Sequence, residues 1–310
     1  MVLLDHYGRP LLNLRIALTK PCNLHCSYCH GEGEYKNAVK AEMTAQEIIR
    51  IAKIAVKLGV SRIKLTGGEP LMRKDILQIV RGIAEIPGLE ELSMTTNGTL
   101  LAPIAKDLRA NGLKRVNISL PTINRDTYCK LTGGRLEDAL KGVEAAVEAE
   151  LNPVKLNMLV LQGVNDSQVN DMIDFARQTG AILQLIELEP INISMEYYKA
   201  HHKPLEDYEE MLRQRALYVE SRRYMQNRRV YRLPGVSVEV VHPIENTEFC
   251  RYCTRMRVTS DGKLKPCLMR NDNLVDILAP MRNGASEREL MEIFKLANEM
   301  RQPYNLEEGL

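Results

Sequence analysis

Residues 12–30 read LNLRIALTKPCNLHCSYCH, a short apolar run followed at once by a segment holding three cysteines in eight residues. Leu12–Leu18 has the length and composition of a buried strand, and Thr19–His30 begins where that strand ends. The same rhythm recurs along the chain. Arg62–Thr66 is followed by Gly67–Pro70, Glu91–Thr95 by Thr96–Gly98, and Lys114–Leu120 runs into Ser119–Pro121. Val154–Leu161 and Ile182–Leu188 complete six strand-like runs. Amphipathic segments lie between them, as in Thr44–Leu58, where Ile48, Ile51, Ile54, Ala55 and Leu58 share one face. Thr44 with Glu47 forms a capping-box pattern at its start, and Gly59 stops it. Six strand–helix alternations with right-handed crossovers predict an α/β fold: a partial, open, about six-stranded (β/α) TIM-like barrel. In such barrels chemistry sits at the C-terminal ends of the strands, where the distinctive segments fall.

The rhythm stops after Pro190, which divides the chain into a barrel region, 1–190, and a C-terminal region, 191–310. Residues 191–232 are polar and read as helices and linkers, with Arg222, Arg223, Arg228, Arg229 and Arg232 as a solvated helix face. Val236–Val241 reads as a strand, and Val258–Leu264 around Asp261-Gly262 as a hairpin with a two-residue turn. Ser286–Met300 reads as a closing helix and the last ten residues as a tail.

The 310 residues suffice for a full core, and a formal charge of +2 calls for neither nucleic acid nor a membrane surface. No apolar run reaches membrane-spanning length, and Asp5, His6 and Arg9 interrupt the apolar start, so no signal peptide is read. A cytoplasmic location is therefore expected. There the seven cysteines, an odd number, do not form a disulfide framework.

Cys22, Cys26 and Cys29 are spaced CxxxCxxC. Three thiolates so close together can wrap one iron cluster and leave one iron open to a small molecule. Zinc is the alternative, with His25 or His30 as a fourth ligand. Cys250 and Cys253 form a CxxC, with Cys267 fourteen residues on and returned by the hairpin. A second cluster with an open iron fits this set; zinc would need a fourth ligand such as His242. Cys129 is read as having no role. Arg255 and Arg257 are two apart, so on a strand both face one way, toward one anion. Arg15, Lys64 and Lys155 interrupt apolar strands, where a buried cation needs a partner; a polyanionic ligand would supply one, the alternative for each being a salt bridge or an outward-facing end.

CxxxCxxC with Tyr28 before the third cysteine resembles the signature of the radical S-adenosylmethionine superfamily, and Gly67-Gly68-Glu69-Pro70 resembles its GGEP segment. Residues 249–268, FCRYCTRMRVTSDGKLKPCL, resemble the GTP 3′,8-cyclase family of molybdenum cofactor biosynthesis, and residues 249–276 read most like its archaeal branch. The resemblance implies a superfamily barrel and two 4Fe-4S clusters. One, on Cys22, Cys26 and Cys29, would bind S-adenosylmethionine; the other, on Cys250, Cys253 and Cys267, would meet the guanine base. It implies S-adenosylmethionine contacts at Tyr28, Gly68 and Ser119. It implies GTP contacts at Arg15, Lys64, Thr95, Lys155, Arg255 and Arg257. The reaction implied is hydrogen abstraction from ribose carbon 3′ and closure onto guanine carbon 8, giving 3′,8-cyclo-7,8-dihydro-GTP. An electron donor, a downstream cyclic pyranopterin monophosphate synthase and a possible homodimer are implied as partners. The chain departs from the family pattern at Lys64, where Arg is usual, at Glu189, where Met is common, and at Gly309-Leu310 in place of a Gly-Gly ending. The rival readings are a radical enzyme acting on a peptide or another small molecule, and a non-catalytic protein with two zinc sites.

Overall fold

The computed structural model describes residues 2–34 and 42–305. The first six strands are β1 (Asn13–Ala17), β2 (Arg62–Thr66), β3 (Glu91–Thr96), β4 (Arg115–Ser119), β5 (Lys155–Leu159) and β6 (Ile182–Ile186). Each lies in its expected segment, and each pairs in parallel with the next. The intervening helices form for the local reasons read from the sequence. Ala45–Lys57 starts at a complete Thr44/Glu47 capping box and buries Ile48, Ile51, Ile54 and Ala55. Each such isoleucine contributes roughly 1.5–3 kcal/mol of burial.

The C-terminal region adds β7 (Tyr218–Arg222), β8 (Arg228–Leu233), β9 (Val236–Val241), β10 (Arg255–Val258), β11 (Lys263–Lys265) and β12 (Val275–Asp276). These strands extend the first six at both edges, in the order β12-β11-β10-β1-β2-β3-β4-β5-β6-β9-β8-β7. β10 runs parallel to β1 and β9 parallel to β6, so the parallel array is wider than six strands. The outer strands at each edge are antiparallel.

Three expectations are corrected. Within 191–232, Met195–His201 and Glu206–Arg215 are helices, but 218–222 and 228–233 pair as strands. The arginine run is therefore no solvated helix face. Alternation on β8 buries Arg228 against Glu239 and leaves Arg229 exposed beside Glu209. The hairpin after β10 turns through three residues, Ser260–Gly262, because Thr259 N donates to Lys263 O at 2.9 Å and Gly262 takes φ +76°. The last ten residues are not all tail, since Arg301 is buried and hydrogen-bonded to Cys253 O; the Gly309-Leu310 ending lies outside the described residues.

Every strand of the parallel array carries two kinds of side chain. Leu14 and Ile16, Ile63 and Leu65, Leu92 and Met94, Val116 and Ile118, and Met256 and Val258 belong to the apolar core. The alternate positions are polar: Arg15, Lys64, Ser93, Asn117, Lys155, Gln184, Arg255 and Arg257. A parallel sheet covered on both faces would be apolar at both sets of positions. Here the second face lines a chamber.

Candidate functional site

The cysteine segment after β1 is shaped by its neighbours. Gly68 N donates to Thr19 O at 2.7 Å and Glu69 N to Pro21 O at 2.9 Å, which presses the loop after β2 against the approach to Cys22. A Cβ on Gly68 would meet Pro21 O at 2.1 Å, so only glycine permits this contact. The Glu69 carboxylate is fully buried and accepts from Thr96 Oγ1 and Asn97 N, both at 2.8 Å. It thereby ties the β2 loop to the β3 loop.

Within that frame Cys22, Cys26 and Cys29 line one cavity. Burial, then the neighbouring Cys29, pushes the Cys26 thiol up to about 12, and burial also raises Cys22. Protein N–H groups nonetheless point at sulfur: Leu24 N lies 3.4 Å and Asn97 Nδ2 3.8 Å from Cys22 Sγ. The neighbouring Tyr28 hydroxyl offsets part of the rise at Cys26. Three thiols that repel when ionised, yet are provided with donors, fit a positively charged group bound among them.

The second set lies on the same cavity. Cys250 belongs to the short helix Thr247–Arg251, Cys253 follows it, and Cys267 comes two residues after β11. Asn305 N reaches Cys250 Sγ at 3.5 Å and Gln226 Nε2 reaches Cys253 Sγ at 4.0 Å. Burial opposes ionisation of Cys253, but Arg301, Arg255 and Arg9 carry it below the ordinary thiol value. Among the described residues no group of three or more His, Cys, Asp or Glu is placed to hold a metal ion. A four-iron cluster is wider than a single ion, and each of three cysteine thiolates would bind a different iron of it.

Cations line the same cavity and a smaller one beside it. Register sets Arg15 beside Lys64 on one side and Arg257 on the other. Arg15, Thr95, Arg255 and Arg257 line the main cavity, as do Tyr28, Gly68 and Ser119. Lys64 and Lys155 line a smaller adjoining cavity that shares Arg15, Arg228 and Arg255 with the first. Burial and then Arg257 hold Arg15 down at about 10, while burial with Arg228 and Arg15 lowers Arg255 well below its usual range. Lys64 is also far below its ordinary value, through burial and then Arg115, Arg15 and Lys155; its ammonium donates to Asn117 Oδ1 at 2.7 Å. Lys155 is held at about 8 by burial, despite its contact with Glu239. Glu239 is committed to Lys155, Arg222 and Arg228, which overcome burial and keep it ionised. Lys64 and Arg255 form no ion pair among the described residues.

Residues 16–176 match the model of the Radical SAM superfamily, and residues 181–306 match Molybdenum Cofactor Synthesis C. A probable GTP 3′,8-cyclase of Thermococcus kodakarensis is 49% identical over 98% of this chain and 99% of its own length. One of Methanothermobacter thermautotrophicus is 43% identical over 97% and 98%. The chain belongs to the GTP 3′,8-cyclase family of radical SAM enzymes. Solved structures with the same fold include Streptococcus suis SuiB bound to S-adenosylmethionine, with a TM-score of 0.68 at 18% identity, over 95% of this chain and 69% of that one. Native anSMEcpe with bound AdoMet aligns with a TM-score of 0.61 at 19% identity, over 92% and 82%.

The family's cofactors are S-adenosylmethionine and 4Fe-4S clusters, and the two cysteine sets offer the thiolate donors such clusters need. Several cavity residues escaped sequence reasoning. Glu32 has its carboxylate 4.0 Å from Arg15 Nη1 and 3.5 Å from Arg257 Nε, and neither its Oε2 nor Arg257 Nε has a hydrogen-bond partner among the described residues. Glu187, just past β6, is pushed up to about 7 by burial and hydrogen-bonds His202 Nε2 at 2.8 Å. Arg9 and Arg301 bracket the second set. The acidic residue three after Cys29 was a local signal for Glu32; Arg9 and Arg301, 292 residues apart, had none.

Proposed function

We propose that this chain converts GTP to 3′,8-cyclo-7,8-dihydro-GTP in a chamber with a cluster at each end. When bound on Cys22, Cys26 and Cys29, a 4Fe-4S cluster supplies the electron that cleaves S-adenosylmethionine to a 5′-deoxyadenosyl radical. Tyr28, Gly68 and Ser119 line the cavity where that cofactor would lie. Arg15, Arg255 and Arg257 neutralise the triphosphate, Thr95 borders it, and Lys64 and Lys155 reinforce the positive field from the adjoining cavity. The guanine base is directed to Cys250, Cys253 and Cys267. Fixed orientation holds ribose carbon 3′ near the radical and carbon 8 near carbon 3′.

The observation that carries this reading is the excess of buried and half-buried cation in the cavity that both three-cysteine sets line and in the smaller one beside it. The nearby carboxylates Glu239, Glu32, Glu187 and Glu189 are fewer than the cations Arg15, Lys64, Lys155, Arg228, Arg255 and Arg257. A polyanion removes the mismatch, whereas a peptide without phosphate does not. A low-potential donor supplies electrons, and the product passes to cyclic pyranopterin monophosphate synthase in the cytoplasm; a homodimer is compatible with this scheme. Anaerobic turnover with GTP and S-adenosylmethionine, with products identified by mass, is the test. The expected product is an isomer of GTP, because the hydrogen lost from carbon 3′ is offset by the electron and proton gained at nitrogen 7; it is told from GTP by retention time and fragment masses, and recovery of GTP unchanged beside 5′-deoxyadenosine would refute the assignment.

A further inference from the structure

The turn bearing Cys250 and Cys253 is gripped at the cavity wall by residues far away in sequence. Arg9 Nη1 donates to Cys250 O at 2.9 Å, and Arg301 Nη2 donates to Cys253 O at 2.7 Å. Arg301 is 1% exposed, and its Nη1 also donates to Arg9 O at 3.2 Å and Asn298 Oδ1 at 3.0 Å. The two guanidiniums share one carboxylate: Asp5 Oδ2 lies 2.8 Å from Arg9 Nε and 3.6 Å from Arg301 Nη1. Asp5 is held by Tyr7 N and Arg9 N, each 3.0 Å from its Oδ1. Two buried cations and one buried anion leave a net positive charge against the CxxC turn. A structural role alone would be met by one arginine balanced by one carboxylate, the usual condition for burial.

We propose that Asp5, Arg9 and Arg301 form a charge clamp that positions the Cys250–Cys253 turn and makes the cluster held there easier to reduce. The proposal rests on Cys250, Cys253 and Cys267 holding a 4Fe-4S cluster. Uptake of an electron makes that cluster one charge more negative, and a nearby fixed positive charge in a low-dielectric surround favours the reduced state. Hydrogen bonds from guanidinium to the carbonyls of the ligating cysteines act in the same sense by drawing electron density from the ligand peptides. Arg301 is the dominant member, because Asp5 lies closer to Arg9 and offsets its charge more fully. Arg9, Arg301 and Asp5 are positioning residues that act through the cysteines.

The charges predict shifts of opposite sign. The full chain carrying Cys22, Cys26 and Cys29 all changed to Ala isolates the second cluster, whose midpoint potential is read by anaerobic redox titration followed by electron paramagnetic resonance. In that background Arg301→Met is expected to move the potential more negative, Asp5→Asn more positive, and Arg301→Lys to leave it close to the parent. Iron content is measured for each variant. If Arg301→Met sheds its iron, Asp5→Asn decides alone, since it keeps both arginines; a positive shift supports the clamp and a null or negative shift overturns it. Shifts of the same sign in Arg301→Met and Asp5→Asn, or none in either with iron retained, also overturn it. A background protein holding no iron at all would instead overturn the cluster assignment beneath the proposal.

Discussion

The two cysteine sets differ in how far their geometry is local. Cys22, Cys26 and Cys29 occupy one loop directly after β1, and Gly68 and Glu69 brace it from the neighbouring strand ends. Cys250, Cys253 and Cys267 are assembled by a short helix, a hairpin, the N-terminal turn at Asp5–Arg9 and Arg301, two residues past the last helix. A local set can be compact and partly exposed, because a strand end already supplies its frame. The dispersed set is reached only after β10 pairs with β1, which also brings Arg257 level with Arg15. The second set therefore depends on the whole fold and shares its field with the substrate cations.

Breaking each set in turn gives the largest effects. Changing Cys22, Cys26 and Cys29 to Ala is expected to halve the iron and abolish 5′-deoxyadenosine formation, measured by chromatography after anaerobic reconstitution. Changing Cys250, Cys253 and Cys267 to Ala is expected to halve the iron too, while S-adenosylmethionine cleavage persists and cyclised product disappears. Product from the second mutant would erase the functional distinction between the two ends.

A smaller effect separates substrate binding from scaffold. Arg257→Ala is expected to weaken GTP by about 1.5–3 kcal/mol, or roughly 10- to 150-fold, with little change for S-adenosylmethionine and a smaller loss for guanosine. Arg255→Ala behaves alike, and the double variant is worse than either. The competing possibility, a purely structural pairing with acidic side chains, has a foothold at Arg257 through Glu32; the charges bearing most on Arg255 are the cations Arg228 and Arg15. Titration calorimetry with both ligands decides, since equal losses for GTP and guanosine mean scaffold.

Proton linkage sharpens the comparison further. Lys64 is depressed in the free chain by burial and by neighbouring cations, so a bound triphosphate must raise it again. Between its free and bound values GTP binding takes up a proton; at lower pH, where Lys64 is already charged, the uptake vanishes. Calorimetry in buffers of different ionisation heat measures this, and Lys64→Met should abolish it.

The smallest expected effect is on stability. Glu187 is raised by burial to about 7, so the folded chain binds more protons than the unfolded chain from about pH 4.5 upward to that value. Its contribution is complete below the unfolded value and is lost as pH rises through about 7. Denaturant melts at several pH values should show this decline in the parent chain and a flatter profile in Glu187→Gln.

Sequence alone determined the six parallel strands, the capped helix after Thr44, both cysteine sets and the glycine-rich loop beside the first. Each rests on short-range periodicity, on a cap, or on donors spaced within a few residues. The spacing of Arg255 and Arg257 also revealed their shared face, because alternation on a strand is local. Tertiary structure alone decided which charges meet. Strand pairing put Arg15 between Lys64 and Arg257, and buried Arg228 on Glu239 instead of leaving it on a solvated helix. It also drew Lys64 and Lys155 into an adjoining cavity and closed Asp5, Arg9 and Arg301 around the CxxC turn. Charge interactions depend on distance in space and on burial, and neither is written into the spacing of residues along the chain.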